Sequence, residues 1–251
     1  MPLSTYAANN VLAHVCGQAS WTKPTNTYFS LHTADPGLTG ASEISAGWYA
    51  RQLASWNAAT TSGATNNGIH VFPTVTGSNV TVTHIGIWDA LTTGNFLFSI
   101  DVTDTLFVVG AAPKIADAAV TITPGVAYSN YLIPLITDHL SGKAAMTFDS
   151  SMYVAMYTTN PTQADSGTEV STGGYARQLI EFDATVSGAT DNTNIEAFPT
   201  ATANLGTLTH CAIRAALTVG NMHLFGALTS SATVNNGDDY QFAAGDLDFT
   251  T

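Results

Sequence analysis

An acid and an arginine stand eight residues apart at two places in the chain, Glu43 with Arg51 and Glu169 with Arg177. A guanidinium holds a carboxylate through two parallel N–H donors when a loop folds back on the strand that carries the arginine. Two uses fit this spacing: a structural ion pair that fixes the loop, or an arginine that binds a ligand. We favour the structural ion pair, because half-buried arginines in a lysine-poor protein usually have a partner.

Two histidines, His84 and His210, each follow a threonine in a segment that alternates like a strand. A metal site needs further ligands nearby, and none stands at metal-ligand spacing. His210 and Cys211 are adjacent, so their side chains point to opposite faces of a strand. The pattern favours histidines of a core or an interface over metal ligands.

The other patterns that could carry chemistry are weak. Asp35 and Glu43 suggest a calcium loop, but Asn160 takes the place of Asp35 later in the chain and no Asp-x-Asp-x-Asp-Gly pattern occurs. Nucleophile-elbow, GxGxxG and P-loop motifs are absent from the sequence, and the doublet at 238–239 is typical of a solvated turn. We therefore expect neither an enzyme nor a cofactor. An aromatic sugar platform is an alternative, although core or interface packing suits the tryptophans better: Trp21, Trp48, Trp56 and Trp88.

The acid–arginine pairs belong to a unit that is written twice. The letters YARQL at residues 49–53 recur at 175–179, an offset of 126 residues. A repeat of this length is long enough to bury its own core, unlike the short units of a solenoid. Because Pro-Gly at 124–125 marks a natural boundary, we predict two domains, at residues 1–123 and 128–251, with a linker at about 124–127.

Each repeat opens with an amphipathic segment that predicts a short helix, ended in the first repeat by Gly17. Short apolar segments between turn residues follow and predict strands. We expect the arginines on strands at 48–56 and 174–182, and a closing strand at 240–249. The predicted fold is mainly β: two tandem antiparallel β-sandwich, jelly-roll-like domains, each preceded by a short N-terminal α-helix.

Composition narrows the class of partner. The net charge is −12, with only 6 Lys and Arg among 251 residues, which argues against nucleic acid. No apolar run approaches the roughly 18 residues of a membrane span, and the first residues lack the pattern of a secretory signal. Cys16 and Cys211 stand at unequal repeat positions, so we expect two buried thiols. The neutral polar surface suits a protein covered by neighbouring subunits.

Several strings of residues resemble a family of small tailed-bacteriophage virion proteins. Members of that family are labelled tail fibre or tail proteins, and some look like capsid decoration proteins. They usually hold one copy of about half this length, so the chain resembles two copies fused. It departs from the family pattern at 100–122. The matching strings are LHTADPG at 31–37, Glu43, YARQ at 49–52, FPTATAN at 198–204, TLTH at 207–210, GNM at 220–222 and FAAGDL at 242–247.

The resemblance implies a virion structural protein with no catalytic residues. We expect first a capsid decoration (cement) protein on the outer surface of the head, because packaged DNA lies inside and an acidic protein suits the outside. Its partners would be the major capsid protein or other virion proteins, together with further copies of itself. Two contact surfaces on one chain would gain avidity. A tail or tail-fibre component and a carbohydrate-binding module for host attachment are the alternatives.

Overall fold

The computed structural model describes residues 2–125 and 127–250. This part of the chain forms two helices and sixteen strands, most of them short. The elements are α1 (Thr5–Val15), β1 (Tyr28–His32), β2 (Gln52–Leu53), β3 (Ala64–Thr65), β4 (His70–Val71), β5 (Val80–Trp88), β6 (Phe96–Phe107), β7 (Lys114–Ile115), β8 (Thr121–Ile122), α2 (Leu132–Leu140), β9 (Met152–Tyr157), β10 (Gln178–Ile180), β11 (Ala189–Thr190), β12 (Glu196–Ala197), β13 (Gly206–Arg214), β14 (Met222–Val234), β15 (Gln241–Phe242) and β16 (Phe249–Thr250).

Both helices are bounded by local signals. Ser4 caps α1, because its Oγ accepts a hydrogen bond from the Ala7 N–H at 3.0 Å. Gly17 ends α1 with a φ of 71°, the left-handed conformation of a helix C-terminus. Ser129 and Gly142 do the same for α2, where Gly142 has a φ of 78°. The predicted short helix at the start of each repeat is therefore confirmed.

The strands of each repeat form the same antiparallel sheets. The larger sheet has the order β2-β1-β5-β6 in the first repeat and β10-β9-β13-β14 in the second. Two small sheets accompany each, β3-β8 with β4-β7 and β11-β16 with β12-β15. Alternate residues of the larger sheets face apolar cores, with Phe29 and Ile87 buried in one and Val154 and Ile213 in the other. These sheets confirm the mainly β fold of two repeated antiparallel domains.

The arginines Arg51 and Arg177 lie just before the strands β2 and β10 rather than on them, and these strands are shorter than predicted. Only Gln52–Leu53 and Gln178–Ile180 pair as strands, so most of the predicted spans 48–56 and 174–182 lies outside any ladder. The physical reason is that Tyr49 and Arg51 turn towards an acidic loop and hydrogen-bond to it. Side-chain bonds there replace the backbone pairing that a longer edge strand would make.

The end of the second repeat also differs from the prediction. The single closing strand expected at 240–249 is two short strands, β15 and β16. Gly245 separates them with a φ of 79°, and the Asp246 carboxylate accepts the N–H of Ala243 at 2.7 Å. A carboxylate-stabilised turn with a glycine in the left-handed region interrupts the strand.

The residues divide into two compact units that are not simply the two halves of the chain. Unit 1 holds residues 2–9, 22–124 and 134–146, and unit 2 holds the other described residues. Most of α2 therefore belongs to unit 1, and the second half of α1 belongs to unit 2. The domain limits 1–123 and 128–251 stay a prediction. Val126 of the predicted linker lies outside the described residues.

Polar contacts made just beyond the ends of these helices join them to the rest of each unit. In unit 1, Lys23 Nζ donates to the Gly142 carbonyl at 2.6 Å, and Thr27 Oγ1 donates to the Ser141 carbonyl at 3.2 Å. In unit 2, Gln18 Nε2 donates to Thr190 Oγ1 at 3.0 Å. Each unit thus contains a helical segment from the opposite repeat.

Candidate functional site

The first acid–arginine pair is a two-bond ion pair in unit 1. Arg51 Nε lies 2.8 Å from Glu43 Oε1, and Arg51 Nη2 lies 2.7 Å from Glu43 Oε2. Arg51 Nη1 donates to the carbonyls of Ala90 and Thr93, at 2.9 and 2.7 Å. The arginine therefore ties the acidic loop to the turn between β5 and β6, and its Nε, Nη1 and Nη2 all have partners.

The second pair repeats this geometry in unit 2. Arg177 Nε and Nη2 lie 2.7 and 2.8 Å from the two carboxylate oxygens of Glu169. Arg177 Nη1 donates to the carbonyls of Ala216 and Val219, at 2.7 and 2.6 Å. The exposed side-chain fractions are 8% for Arg177 and 22% for Glu169. In both units the arginine is thus paired with the acid that stands eight residues before it.

A tyrosine completes each pair. The Tyr49 hydroxyl donates to Glu43 Oε1 at 2.9 Å and accepts the N–H of Leu31 at 3.0 Å. Burial, reinforced by the Glu43 carboxylate, raises the pKa of Tyr49 well above its usual range. Tyr175 makes the same two bonds in unit 2, and its pKa is raised, chiefly by burial. Both phenols stay protonated and act as donors rather than as bases.

The two repeats differ beside the ion pair. In unit 1 the guanidinium carbon of Arg51 lies 3.8 Å from the centre of the Trp88 ring, a cation–π contact. Trp88 leaves no space for a side chain at Gly40, where a Cβ would meet the ring at 2.4 Å. The Trp88 ring can therefore occupy this position only because residue 40 has no side chain.

In unit 2 an arginine, Arg214, takes the place of Trp88, and Asp165 takes the place of Gly40. Arg214 Nη1 and Nη2 each lie 2.8 Å from an oxygen of Asp165. Arg214 Nη1 also donates to the Tyr157 hydroxyl at 2.6 Å, and Nη2 donates to the Gly220 carbonyl at 2.7 Å. Sequence reasoning missed this second ion pair. The alignment of the two repeats contained the signal, because Trp88 aligns with Arg214 and Gly40 aligns with Asp165.

The predicted strand histidines lie on β5 and β13, and both are half-buried. His84 pairs across the sheet with His32, and its Nε2 lies 3.9 Å from Asp101 Oδ1. His210 pairs with Tyr157, and its Nδ1 lies 2.8 Å from Thr209 Oγ1. Among residues 2–125 and 127–250, His, Cys, Asp and Glu form no group of three that would hold a metal ion.

The remaining candidates occupy turns and core positions. Asp35 and Asn160 each accept the N–H of the residue two positions on, at 2.8 Å, which stabilises a turn. Trp21 and Trp56 are buried, at 7% exposure each. Cys16 and Cys211 are buried free thiols whose pKa is raised by burial, Cys211 to about 12. No helix in the described part of the chain has the length and apolarity to cross a membrane.

Two buried histidines are expected to make the stability depend on pH. His32 is fully buried between Ser30 Oγ, at 2.8 Å, and the Ala41 carbonyl, at 2.7 Å. His223 is buried beside the Val15 carbonyl, and its Nε2 lies 3.4 Å from Asp149 Oδ2. Burial lowers the pKa of both imidazoles below the usual value. Both are therefore neutral at pH 7 in the folded protein.

The free energy of unfolding is expected to fall as the pH falls through about 6.5, the ordinary pKa of histidine in an unfolded chain. Below that pH the unfolded chain binds more protons than the folded one, so acid favours unfolding. Urea unfolding at pH 7.5 and 5.5 measures the loss. His32→Gln removes one of the two groups and is expected to lose less stability on acidification. An equal loss in the variant and the native chain would contradict a role for His32.

Comparison with known protein families finds a match in each repeat. The model of the family described as Podophage GP4 fiber I protein gp80 matches residues 2–123 and again residues 127–250. No curated protein matches the chain. The two matches cover nearly the whole sequence and confirm both the resemblance to phage virion proteins and the tandem duplication. The chain therefore belongs to the family of the podophage GP4 fiber I protein gp80, and carries the domain of that family twice.

Proposed function

We propose that this chain is a structural component of a phage fibre. The observation that carries the proposal is the double match to the family of a fibre protein. A fibre component has to keep its shape under load and to present contact surfaces, rather than to turn over a substrate. We therefore propose a structural role without catalysis, with other virion proteins and further copies of the chain as partners.

The ion pairs support a structural role. Arg51 and Arg177 each join an acidic loop to a turn of the larger sheet, through a carboxylate on one side and two carbonyls on the other. Loops held in this way keep their conformation when they meet a partner, which lowers the entropy lost on binding. Two repeats on one chain add avidity, because the second contact forms at high effective concentration.

The capsid decoration role, which the sequence alone favours, is the second candidate. Its support is the net charge of −12, which suits the outside of a DNA-filled shell. The family match supports the fibre over this role. The carbohydrate-binding alternative has less support, because Trp21 and Trp56 are buried and Arg51 lies over the ring of Trp88.

Immunogold labelling of intact particles tests the location. Gold is expected at fibres and not evenly over the head. Particles that lack this chain are expected to lose those fibres while their filled heads keep the heat resistance of normal particles. Gold spread over the head, together with heads that release DNA at a lower temperature, would contradict the fibre role and favour decoration.

A further inference from the structure

An apolar turn stands exposed at the end of β6. We call residues 106–109 the apolar tip. Its side chains Leu106, Val108 and Val109 are 60%, 51% and 51% exposed. Three apolar side chains exposed within four residues form a patch, rather than the scattered single residues that any surface carries.

The fold does not require these residues to be apolar. In the second repeat the same turn carries Thr233, Asn235 and Asn236. The backbone bonds of the two turns correspond: Gly110 N–H donates to the Val75 carbonyl at 2.9 Å, and Gly237 N–H donates to the Ala201 carbonyl at 2.7 Å. A polar turn therefore folds in the same way, and the apolar tip needs another explanation.

Unit 2 contains an open apolar cleft. It has a volume of about 600 Å³ and lies between residues 224–232 of β14 and the strands β15 and β16. The corresponding cleft in unit 1 has about 280 Å³. A volume of 600 Å³ is within the range of sites that enclose ligands. Apolar side chains that line the cleft of unit 2 are Met156, Phe198, Leu208, Leu224, Leu228 and Phe249.

Lys114 near the tip has a charge opposite to that of the carboxylates at the cleft, whereas the exposed Asp104 on β6, two residues before the tip, has the same charge as the cleft. Of the six basic side chains, Lys114 is the one without a hydrogen bond or ion pair in the described structure, and it is exposed. It lies three residues beyond Ala111, whose N–H donates to the carbonyl of Val108 in the tip, so the chain separates it from that contact by at most about 11 Å. The exposed carboxylates of Asp246 and Asp248 line the cleft of unit 2. An approaching tip with Lys114 beside it would meet opposite charge there.

We propose that the apolar tip of one copy of this chain inserts into the cleft of unit 2 of a second copy. The contact joins two different surfaces, so a pair of copies keeps one free tip and one free cleft. Such heterologous contacts build rings when the rotation closes and filaments when it does not. This self-association does not depend on the proposed fibre role, because it can be measured with the purified chain alone.

Sedimentation velocity of the full chain over a range of concentrations measures the association. The tip variant carries the residues of the second repeat: Leu106→Thr, Val108→Asn and Val109→Asn. The cleft variant is Thr229→Asp, at an exposed position of the cleft lining. Each variant is expected to weaken association at least about tenfold. The matched control, Leu53→Thr with Leu91→Asn, removes side chains of similar exposure elsewhere and is expected to associate like the native chain.

Mixing the two variants gives the decisive result. The intact cleft of the tip variant accepts the intact tip of the cleft variant, so an equimolar mixture is expected to form one-to-one dimers and no larger species. A mixture that stays monomeric would overturn the proposal, as would a native chain that stays monomeric at all concentrations. Association of the cleft variant with itself would indicate a tip-to-tip contact instead. The tip variant remains interpretable because its turn sequence already folds in the second repeat.

Discussion

Replacing Arg177 by alanine is expected to lower the free energy of unfolding by about 3 kcal/mol. The change leaves the half-buried carboxylate of Glu169 without its cation and the carbonyls of Ala216 and Val219 without a donor. The loss is at the lower end for a broken buried pair, because Glu169 keeps some contact with water and with Tyr175. Urea unfolding of the full chain measures it, and hydrogen exchange locates the loss in the β9 and β13 amides.

Two control variants separate the charge from the geometry. Arg177→Lys keeps the charge but not the two parallel bonds, so it is expected to lose an intermediate amount, about 1–2 kcal/mol. Gln178→Ala changes the neighbouring side chain, whose amide bonds only nearby carbonyls, and is expected to lose much less. A melting temperature for Arg177→Ala equal to that of the native chain would refute the structural ion pair.

Replacing Arg214 by tryptophan, the residue at this place in the first repeat, is expected to cost at least about 3 kcal/mol. The carboxylate of Asp165 and the hydroxyl of Tyr157 lose their partner. The new ring also collides with the Asp165 side chain, since in the first repeat a Cβ at Gly40 would lie 2.4 Å from the tryptophan.

Restoring the other residues of the first repeat is expected to recover most of this loss. The set that unit 1 uses is Trp88 with Gly40, His32, Ser30 and Gly86, because Ser30 bonds both the indole and the imidazole and a Cβ at Gly86 would lie 2.4 Å from the His32 ring. The variant that rebuilds it carries Arg214→Trp, Asp165→Gly, Tyr157→His, Ala155→Ser and Ala212→Gly. Free energies of unfolding for the single, partial and complete variants give the coupling energies, which should be well above those of distant, independent sites. Additive losses without recovery would show that the residues of the first repeat cannot replace those of the second repeat at this place.

The Glu–Arg pairs were predictable because their spacing is short and occurs twice. The loop that carries Glu43 only has to fold back for the carboxylate to reach Arg51. The same spacing at Glu169 and Arg177 shows that the first pair is not a coincidence of sequence. The ion pair of Arg214 with Asp165 was not predictable in this way. Its residues stand 49 positions apart, and only one repeat has them. Only the larger sheet, which sets the turn before β14 beside the loop after β9, brings them together.

Local signals explain which elements the sequence predicts well. The helix limits follow from Ser4 and Gly17 and from Ser129 and Gly142, which act on their own backbone neighbours. Strand lengths were harder to predict, because side chains such as Arg51 compete with the sheet for the backbone conformation. The division into units could not be predicted from the sequence. An apolar helix face indicates that the helix will be buried, but it does not indicate which sheet will cover it.

The placement of 134–146 in unit 1 and of 10–21 in unit 2 affects how the chain is made in the cell. A ribosome that has finished the last residue of the first repeat still has to add the 22 residues from 125 to 146 before unit 1 has all its parts. At about 5–20 residues per second, that takes roughly 1–4 s. During this time part of the apolar surface of the first-repeat sheet stays uncovered. The segment 10–21 stays without its partners for longer, because the sheet of unit 2 has not yet been synthesised. Unit 1 therefore has all its parts once residue 146 has been added, whereas unit 2 also needs residues 147–250 and is completed later.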